Sequence, residues 1–245
     1  MRKLYLLLLV SIPLLLAECS GEKDPVIMTV KGTVYLNDMG ISLTHEHILV
    51  DFIGADSISY DRWQREDVIK KVLPYLLEVK ELGCKSFFEC TPAYIGRDPL
   101  LLKFLSEASG LNIITNTGYY GAADDKFIPE HAYSETADEL AARWTGEWKN
   151  GIEGTEIRPG FIKIGVGGGS LSELHRKLVK AAAMTHLLTG MTIASHTGPS
   201  IPAFEQLKIL NEEGVSSEAF IWVQSSKTIM LAGHSGHAEK PSFGS

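Results

Sequence analysis

The sequence predicts an α/β fold in which parallel strands alternate with helices, in the manner of a (β/α)8 TIM barrel. Short apolar segments, each about as long as a buried strand, recur between residues 41 and 223. Longer amphipathic segments with helical spacing separate them, for example at 65–83 and 172–190. Strands that are apolar on both faces are typical of a parallel sheet covered by helices.

The elements follow one another in a regular order. Apolar and polar residues alternate at 26–41 around a central glycine, which predicts a short hairpin before the main fold. The predicted strands then lie at 41–45, 85–91, 112–118, 160–166, 191–197 and 219–223. Glycine ends the helical segments where a left-handed cap turns the chain back at little cost. These glycines are Gly83, Gly110, Gly190 and Gly214.

Hydrophobic periodicity alone fits both an open doubly wound sheet and a closed barrel. The polar residues favour the barrel: His45, Lys163 and His196 lie at or near the ends of three different strands. Barrel enzymes gather their catalytic groups at the carboxyl ends of the strands. An open dinucleotide-binding sheet would carry a glycine-rich turn after its first strand, where this chain reads THEHILVD. We therefore expect one barrel-type domain at 23–223.

The first residues have the pattern of an export signal. Arg2 and Lys3 precede an apolar stretch that is too short to span a bilayer comfortably. Cys19 follows this stretch, and we expect it to carry a lipid that holds the protein at a bacterial membrane surface, in the periplasm or at the outer membrane. Ordinary cleavage without a lipid is the alternative. The predicted division is a signal and anchor segment at 1–22 and an atypical tail at 224–245.

Charge and cysteine content exclude some classes of partner and bond. The formal net charge of −7 is spread along the chain, and no Lys/Arg block is interleaved with aromatic residues as in a nucleic-acid groove. We expect neither DNA nor RNA as a partner. Cys84 and Cys90 lie six residues apart in one apolar stretch, so they are expected to pack as small buried hydrophobes rather than to form a disulfide.

Two histidines stand one residue apart at the end of the first predicted strand. The side chains of His45 and His47 point to the same face because a strand repeats every two residues, so they can reach one metal ion. Such a pair alone is more often surface or core chemistry. Its position after an apolar strand and before the acidic VD segment favours the metal-ligand interpretation.

A lysine occupies the middle of the fourth predicted strand. Lys163 lies in GFIKIGV on the same face as Phe161, and a buried lysine is costly unless it is paired or neutralised. The alternative is a lysine that reaches along the strand to water. His196 closes the fifth strand and could by itself be a core histidine. Three such residues at three strand ends are harder to attribute to coincidence.

Four segments together resemble the phosphotriesterase family of the amidohydrolase superfamily, over roughly residues 26–223. They are GISLTHEHILVD, CTPAYIGRDPLLLKFLSEASGLNIITNTGYYGA, RPGFIKIGV and IASHTGPS. The resemblance implies a barrel that holds two divalent metal ions, usually zinc. It implies that His45 and His47 bind the more buried ion and that His196 binds the other. Lys163, carbamylated, would bridge both ions as a catalytic residue.

The resemblance also implies a chemistry. In this family a hydroxide between the metals attacks a phosphoryl or carbonyl centre while a metal polarises the oxygen under attack. Tyr120 resembles the position where lactone-hydrolysing members place a tyrosine near the substrate. We therefore predict a zinc-dependent hydrolase of a small lactone, ester or phosphotriester. Its membrane contact would be limited to the lipid on Cys19, and an intact relative is expected to form a homodimer.

The chain departs from the family pattern after the sixth strand. The family places a histidine there and an aspartate after strand eight, but Gln224 follows strand six and no residues remain for strands seven and eight. The prediction is a C-terminally truncated relative with about six of eight strand–helix units. His234 and His237 lie too far beyond His196 for the family's spacing. The alternative functions are a non-catalytic lipoprotein with at most one metal, or a truncated product without function.

Overall fold

A hairpin opens the part of the chain that the structure describes, residues 24–223 of a computed structural model. Strands β1 (Val26–Thr29) and β2 (Gly32–Tyr35) pair antiparallel, as predicted. The chain then lies against the sheet that follows, because the Val30 amide donates a hydrogen bond of 2.9 Å to the Ile113 carbonyl.

Parallel strands form the main sheet. In the first group β4 lies between β3 and β5, and in the second β7 and β8 lie between β6 and β9. The strands are β3 (Ile41–Glu46), β4 (Cys84–Glu89), β5 (Asn112–Ile114), β6 (Asn116–Thr117), β7 (Phe161–Gly165), β8 (Ile193–His196) and β9 (Phe220–Val223). Only Thr115 separates β5 from β6, so these two form one interrupted strand that joins the groups. The predicted α/β barrel-type architecture is confirmed, with six parallel strand positions among the described residues.

Helices connect the strands as the periodicity predicts. They are α1 (Arg65–Glu81), α2 (Pro99–Ser109), α3 (His131–Ser134), α4 (Ala137–Asn150), α5 (Glu173–Thr189) and α6 (Ser200–Glu212). The four predicted cap glycines all have positive φ, between 72° and 94°. Asp98 begins α2 by accepting a hydrogen bond from the Leu101 amide, with Pro99 in the first turn. Within residues 24–223, no helix combines the length and apolar character needed to cross a membrane.

The core lies on both sides of the sheet. Ile162 and Ile164 of β7 pack outward against the helices, and each such buried side chain contributes about 1.5–3 kcal/mol to stability. Phe161, on the opposite face, packs with Cys90 and Ala194 inside the arc of strands. Cys84 and Cys90 are free and buried, which confirms that they pack as small hydrophobes.

Candidate metal centre

One cavity of about 260 Å³ at the carboxyl ends of the strands brings the predicted site residues together. It is lined by His45, His47, Tyr120, Lys163 and His196 and by the apolar or weakly polar side chains of Val50, Phe52, Cys90, Pro92 and Ile95. Parallel strands end at the same edge of a sheet, which is why residues as far apart as His45 and His196 meet there. The convergence is observed, whereas the ligand roles of these residues stay a prediction.

The two histidines of the HxH segment face each other. Their Nε2 atoms are 3.2 Å apart, and the ring planes cross at 65°. This separation is close to the value of about 3.4 Å for two nitrogen ligands of a tetrahedral zinc ion, each about 2.0–2.1 Å from the metal. Burial, with a further contribution from Lys163, lowers the pKa of His45 to about 4 and also lowers the pKa of His47. Both rings are therefore neutral near pH 7, which is the form that binds metal.

Lys163 does not reach water. Its side chain is about 1% exposed, and within residues 24–223 its Nζ has no hydrogen-bond partner. Burial lowers the pKa of this amine. A buried polar group without a partner costs about 1–3 kcal/mol, so a surface-reaching lysine is the wrong interpretation. The orphaned amine fits a metal centre once it becomes an anionic carbamate.

His196 and Tyr120 form the opposite wall of the cavity. Their ring centroids are 5.2 Å apart, and burial, then the charge of Lys163, lowers the pKa of His196. The Tyr120 ring lies against Gly165 at the end of β7, where an added Cβ would stand 2.6 Å from the tyrosine ring. Glycine at 165 is what allows Tyr120 to approach His196.

Two residues behind His47, Glu89 and Thr91, were not predicted from the sequence. The His47 Nδ1 lies 3.0 Å from the Thr91 hydroxyl, which also contacts Oε1 of Glu89. Glu89 is about 1% exposed, and burial raises its pKa to about 7. Both residues lie in the segment FFECT, which reads as an ordinary apolar strand end. The one available signal was a carboxylate inside a strand that is otherwise apolar.

The donor set of the described cavity is limited. Among residues 24–223, no three His, Cys, Asp or Glu side chains come close enough together to hold an ion, so Lys163 would have to complete any site. No acidic side chain lines this cavity within the described range. The residues considered for the later ligands, Gln224, His234 and His237, lie outside it.

A larger cavity of about 740 Å³ lies beside the site and contains none of the predicted residues. Its walls include Tyr60, Trp144 and the buried Arg97. The Arg97 guanidinium donates to both Glu147 and Glu153, at 2.7 Å and 3.2 Å. Arg97 therefore ties the loop after β4 to α4, and we assign this ion-pair network a structural role.

Comparison with known proteins agrees with the family resemblance of the segments that line the cavity. A model of the phosphotriesterase family matches residues 25–229. The chain is 33% identical over 177 residues to a phosphotriesterase homology protein of Escherichia coli, covering 72% of this chain and 59% of that protein. It is 28% identical over 187 residues to an aryldialkylphosphatase of Saccharolobus solfataricus, covering 76% and 58%. A human N-acetyltaurine hydrolase matches at 26% over 233 residues, covering 83% and 66%. The chain thus spans just under three fifths of the first two relatives.

Proposed function

Since the chain belongs to the phosphotriesterase family, we propose that it is a zinc-dependent hydrolase that acts on a lactone, ester or phosphotriester. Family membership supports metal-dependent hydrolysis as the general activity. The observation that carries the proposal is the convergence of three neutral imidazoles and one orphaned amine on a single cavity.

In the proposed centre, His45 and His47 would hold one ion, His196 would hold the other, and carbamylated Lys163 would bridge them. Carbamylation forms a bond between Nζ and the carbon of CO₂ and releases one proton from the nitrogen. The lowered pKa of Lys163 favours this step because only the neutral amine is nucleophilic. When bound, the ions supply Lewis acidity to the oxygen under attack and lower the pKa of water.

The chain's other residues shape the substrate space. Val50, Phe52 and Ile95 give the cavity an apolar wall, which would exclude water and receive the acyl or alkyl part of a substrate. Tyr120 stands over His196 and would orient the group under attack. A cavity of about 260 Å³ lies just below the usual range of ligand pockets, which supports a small substrate.

The test is metal analysis combined with turnover on the full chain. The purified protein is loaded with zinc in bicarbonate, and hydrolysis of a lactone, an aryl ester and an aryl dialkyl phosphate is measured. We expect about two zinc ions per chain and turnover that a chelator abolishes. His186→Asn, a half-buried histidine at the end of α5, serves as the control and should leave both unchanged. Turnover that survives complete metal removal would refute the proposal.

A second candidate is a non-catalytic lipoprotein that binds at most one ion. The lack of an acidic side chain in the cavity lining of residues 24–223 favours it, because a hydrolase needs a group that accepts the proton of water. This candidate expects one zinc ion or none per chain and no turnover. It also requires export and lipidation at Cys19, which labelling with a fatty-acid analogue tests, with Cys19→Ser as the unlabelled control.

A further inference from the structure

The Thr91 hydroxyl is a junction of three contacts behind the HxH pair. It lies 3.0 Å from Nδ1 of His47 and 3.1 Å from the Leu49 carbonyl, and it also contacts Oε1 of Glu89. Thr91 is fully buried, so water does not compete for these contacts. A hydroxyl has one proton to donate and two lone pairs to accept with.

The direction of each hydrogen bond follows from what the partners can do. The Leu49 carbonyl and the Glu89 carboxylate only accept, so the Thr91 proton goes to one of them and a Thr91 lone pair faces His47. If Glu89 is protonated, it donates to Thr91, whose own proton then goes to the Leu49 carbonyl. In both ionisation states, Nδ1–H of His47 donates to Thr91. If Thr91 donated to His47 instead, neither the Leu49 carbonyl nor an ionised Glu89 would receive the one hydroxyl proton.

The strand ends hold this arrangement rigidly. Oε1 of Glu89 accepts from the Ile48 amide and Oε2 accepts from the Thr91 amide, each at 3.2 Å. Asn116, from β6, donates to the carbonyls of Glu89 and Thr91 at 3.0 Å and 3.1 Å. The backbone amides of Ile48 and Thr91 thus hold the Glu89 carboxyl group, and the Asn116 side chain holds the backbone on either side of Cys90. These hydrogen bonds partly replace the hydration that the Glu89 carboxyl group loses on burial.

We propose that Thr91, supported by Glu89, is a positioning residue that holds His47 in the Nδ1–H tautomer and aims its Nε2 lone pair into the cavity. Nε2 of His47, which then carries the lone pair, stands 3.2 Å from Nε2 of His45. Partners of this kind fix the orientation and raise the basicity of a metal-binding histidine. The inference deepens the proposed metal site and rests on it for its consequence, although the tautomer itself does not require metal.

The tautomer is measured directly on the metal-free full chain. Long-range proton–nitrogen correlation spectra distinguish a protonated Nδ1 from a protonated Nε2 in a neutral imidazole, and His47→Asn identifies the signals that belong to His47. We expect the Nδ1–H form in the wild type. In Thr91→Val the form should shift toward Nε2–H or a mixture, and Thr91→Ser, which keeps the hydroxyl, should restore it.

Zinc affinity is the second readout. Thr91→Val should raise the zinc dissociation constant about 10- to 100-fold, and Thr91→Ser should bring it back to the wild-type value. Thr115→Val is the matched control, because Thr115, between β5 and β6, is a buried threonine whose hydroxyl has no partner within the described residues. It should change neither the tautomer nor the dissociation constant.

Two results would overturn the positioning role. One is an Nε2–H tautomer of His47 in the metal-free wild type, which needs no variant to fold. The other is a folded Thr91→Val protein that binds zinc as tightly as the wild type. If the wild type shows the Nδ1–H form but binds no zinc, the proposed function fails while the tautomer assignment stands.

Discussion

Strands β3 and β7 both contribute side chains to the cavity, but the two strands differ in how deeply they are buried. No residue of β3 is fully buried, whereas every residue of β7 is. Among the described residues β3 pairs only with β4, but β7 lies between β6 and β8. His45 is half-buried and His47 exposed, while Lys163 has lost its water completely.

This difference in burial means that the functional residues of β3 and β7 affect the stability of the fold differently. A lysine in a central strand must give up its hydration on folding, so it costs stability whether or not a ligand is present. His45 and His47, which are half-buried and exposed, keep much of their hydration, so they cost the fold little. The two strands should therefore respond differently when their functional residues are replaced.

The largest expected effect is that of Lys163→Met. The metal-free variant should be more stable by about 1–3 kcal/mol, because an unpaired buried amine is replaced by an apolar chain of similar length. Zinc content and turnover should fall more than about 100-fold, beyond what the loss of an outer partner causes. Urea unfolding after chelation, metal analysis and turnover measure the three quantities.

Lys208→Met is the control for this substitution, since Lys208 is 76% exposed on α6. It should leave metal content and turnover unchanged and shift the stability by no more than about 0.5 kcal/mol. A Lys163→Met protein that unfolds more easily than the wild type would show that the amine stabilises the fold, and the contrast between the two strands would be lost.

His45→Asn tests the edge strand. Zinc affinity should fall about 100-fold, because one of two facing nitrogens is removed. The metal-free stability should change by less than about 0.5 kcal/mol, since the ring is only half-buried. Isothermal titration with zinc and urea unfolding measure these values. A loss of several kcal/mol in the metal-free protein would identify His45 as a structural histidine instead.

Glu89→Gln extends the comparison of β3 and β7 to pH. Glu89 is a buried carboxyl group of β4 that accepts a hydrogen bond from the Ile48 amide, just after β3. Its pKa rises from 4.5 to about 7 in the folded protein. A raised folded pKa contributes stability that is complete below about pH 4.5 and is lost as the pH rises through about 7. The metal-free wild type should therefore lose up to about 3 kcal/mol over this window relative to Glu89→Gln.

Unfolding free energies of both proteins near pH 4.5 and pH 7.5 measure that difference. Parallel pH profiles for the wild type and Glu89→Gln would mean that Glu89 titrates normally in the folded protein. In that case ionisation of the buried Glu89 carboxyl group would not destabilise the fold.

The smallest expected effect is that of Tyr120→Phe. Loss of one hydroxyl contact to a substrate should raise KM about 2- to 10-fold, while the ring still packs against His196. Zinc content should not change. Tyr119→Phe is the control, because the Tyr119 hydroxyl bonds His131 at 2.9 Å and faces the larger neighbouring cavity. Equal effects of the two substitutions would remove Tyr120 from the substrate site.

Local patterns sufficed for the elements and for the position of the cavity residues. The strand at 160–166 and the helix at 172–190 follow from periodicity, and Gly190 ends that helix with φ of 74°. His45, Lys163 and His196 could be recognised because each is a polar residue within or at the end of an apolar run. Their meeting at one point follows from the parallel arrangement of the strands.

Contacts between distant segments could not be predicted in the same way. The role of Thr91 depends on Leu49 and on Asn116, which come from two other strand ends. The ion pairs of Arg97 require Glu147 and Glu153, about fifty residues further along the chain. Nothing local marks any of these residues, because their partners are chosen by the packing of the strands and not by neighbouring sequence.

The hairpin before the barrel packs against the same apolar layer that borders the cavity. Ile27, from β1, packs with Met39, Ile114 and Phe161 into an apolar layer beneath the cavity, to which Cys90 also belongs. A change in the hairpin can therefore reach the cavity wall through apolar packing, because Cys90 belongs both to this layer and to the lining of the cavity.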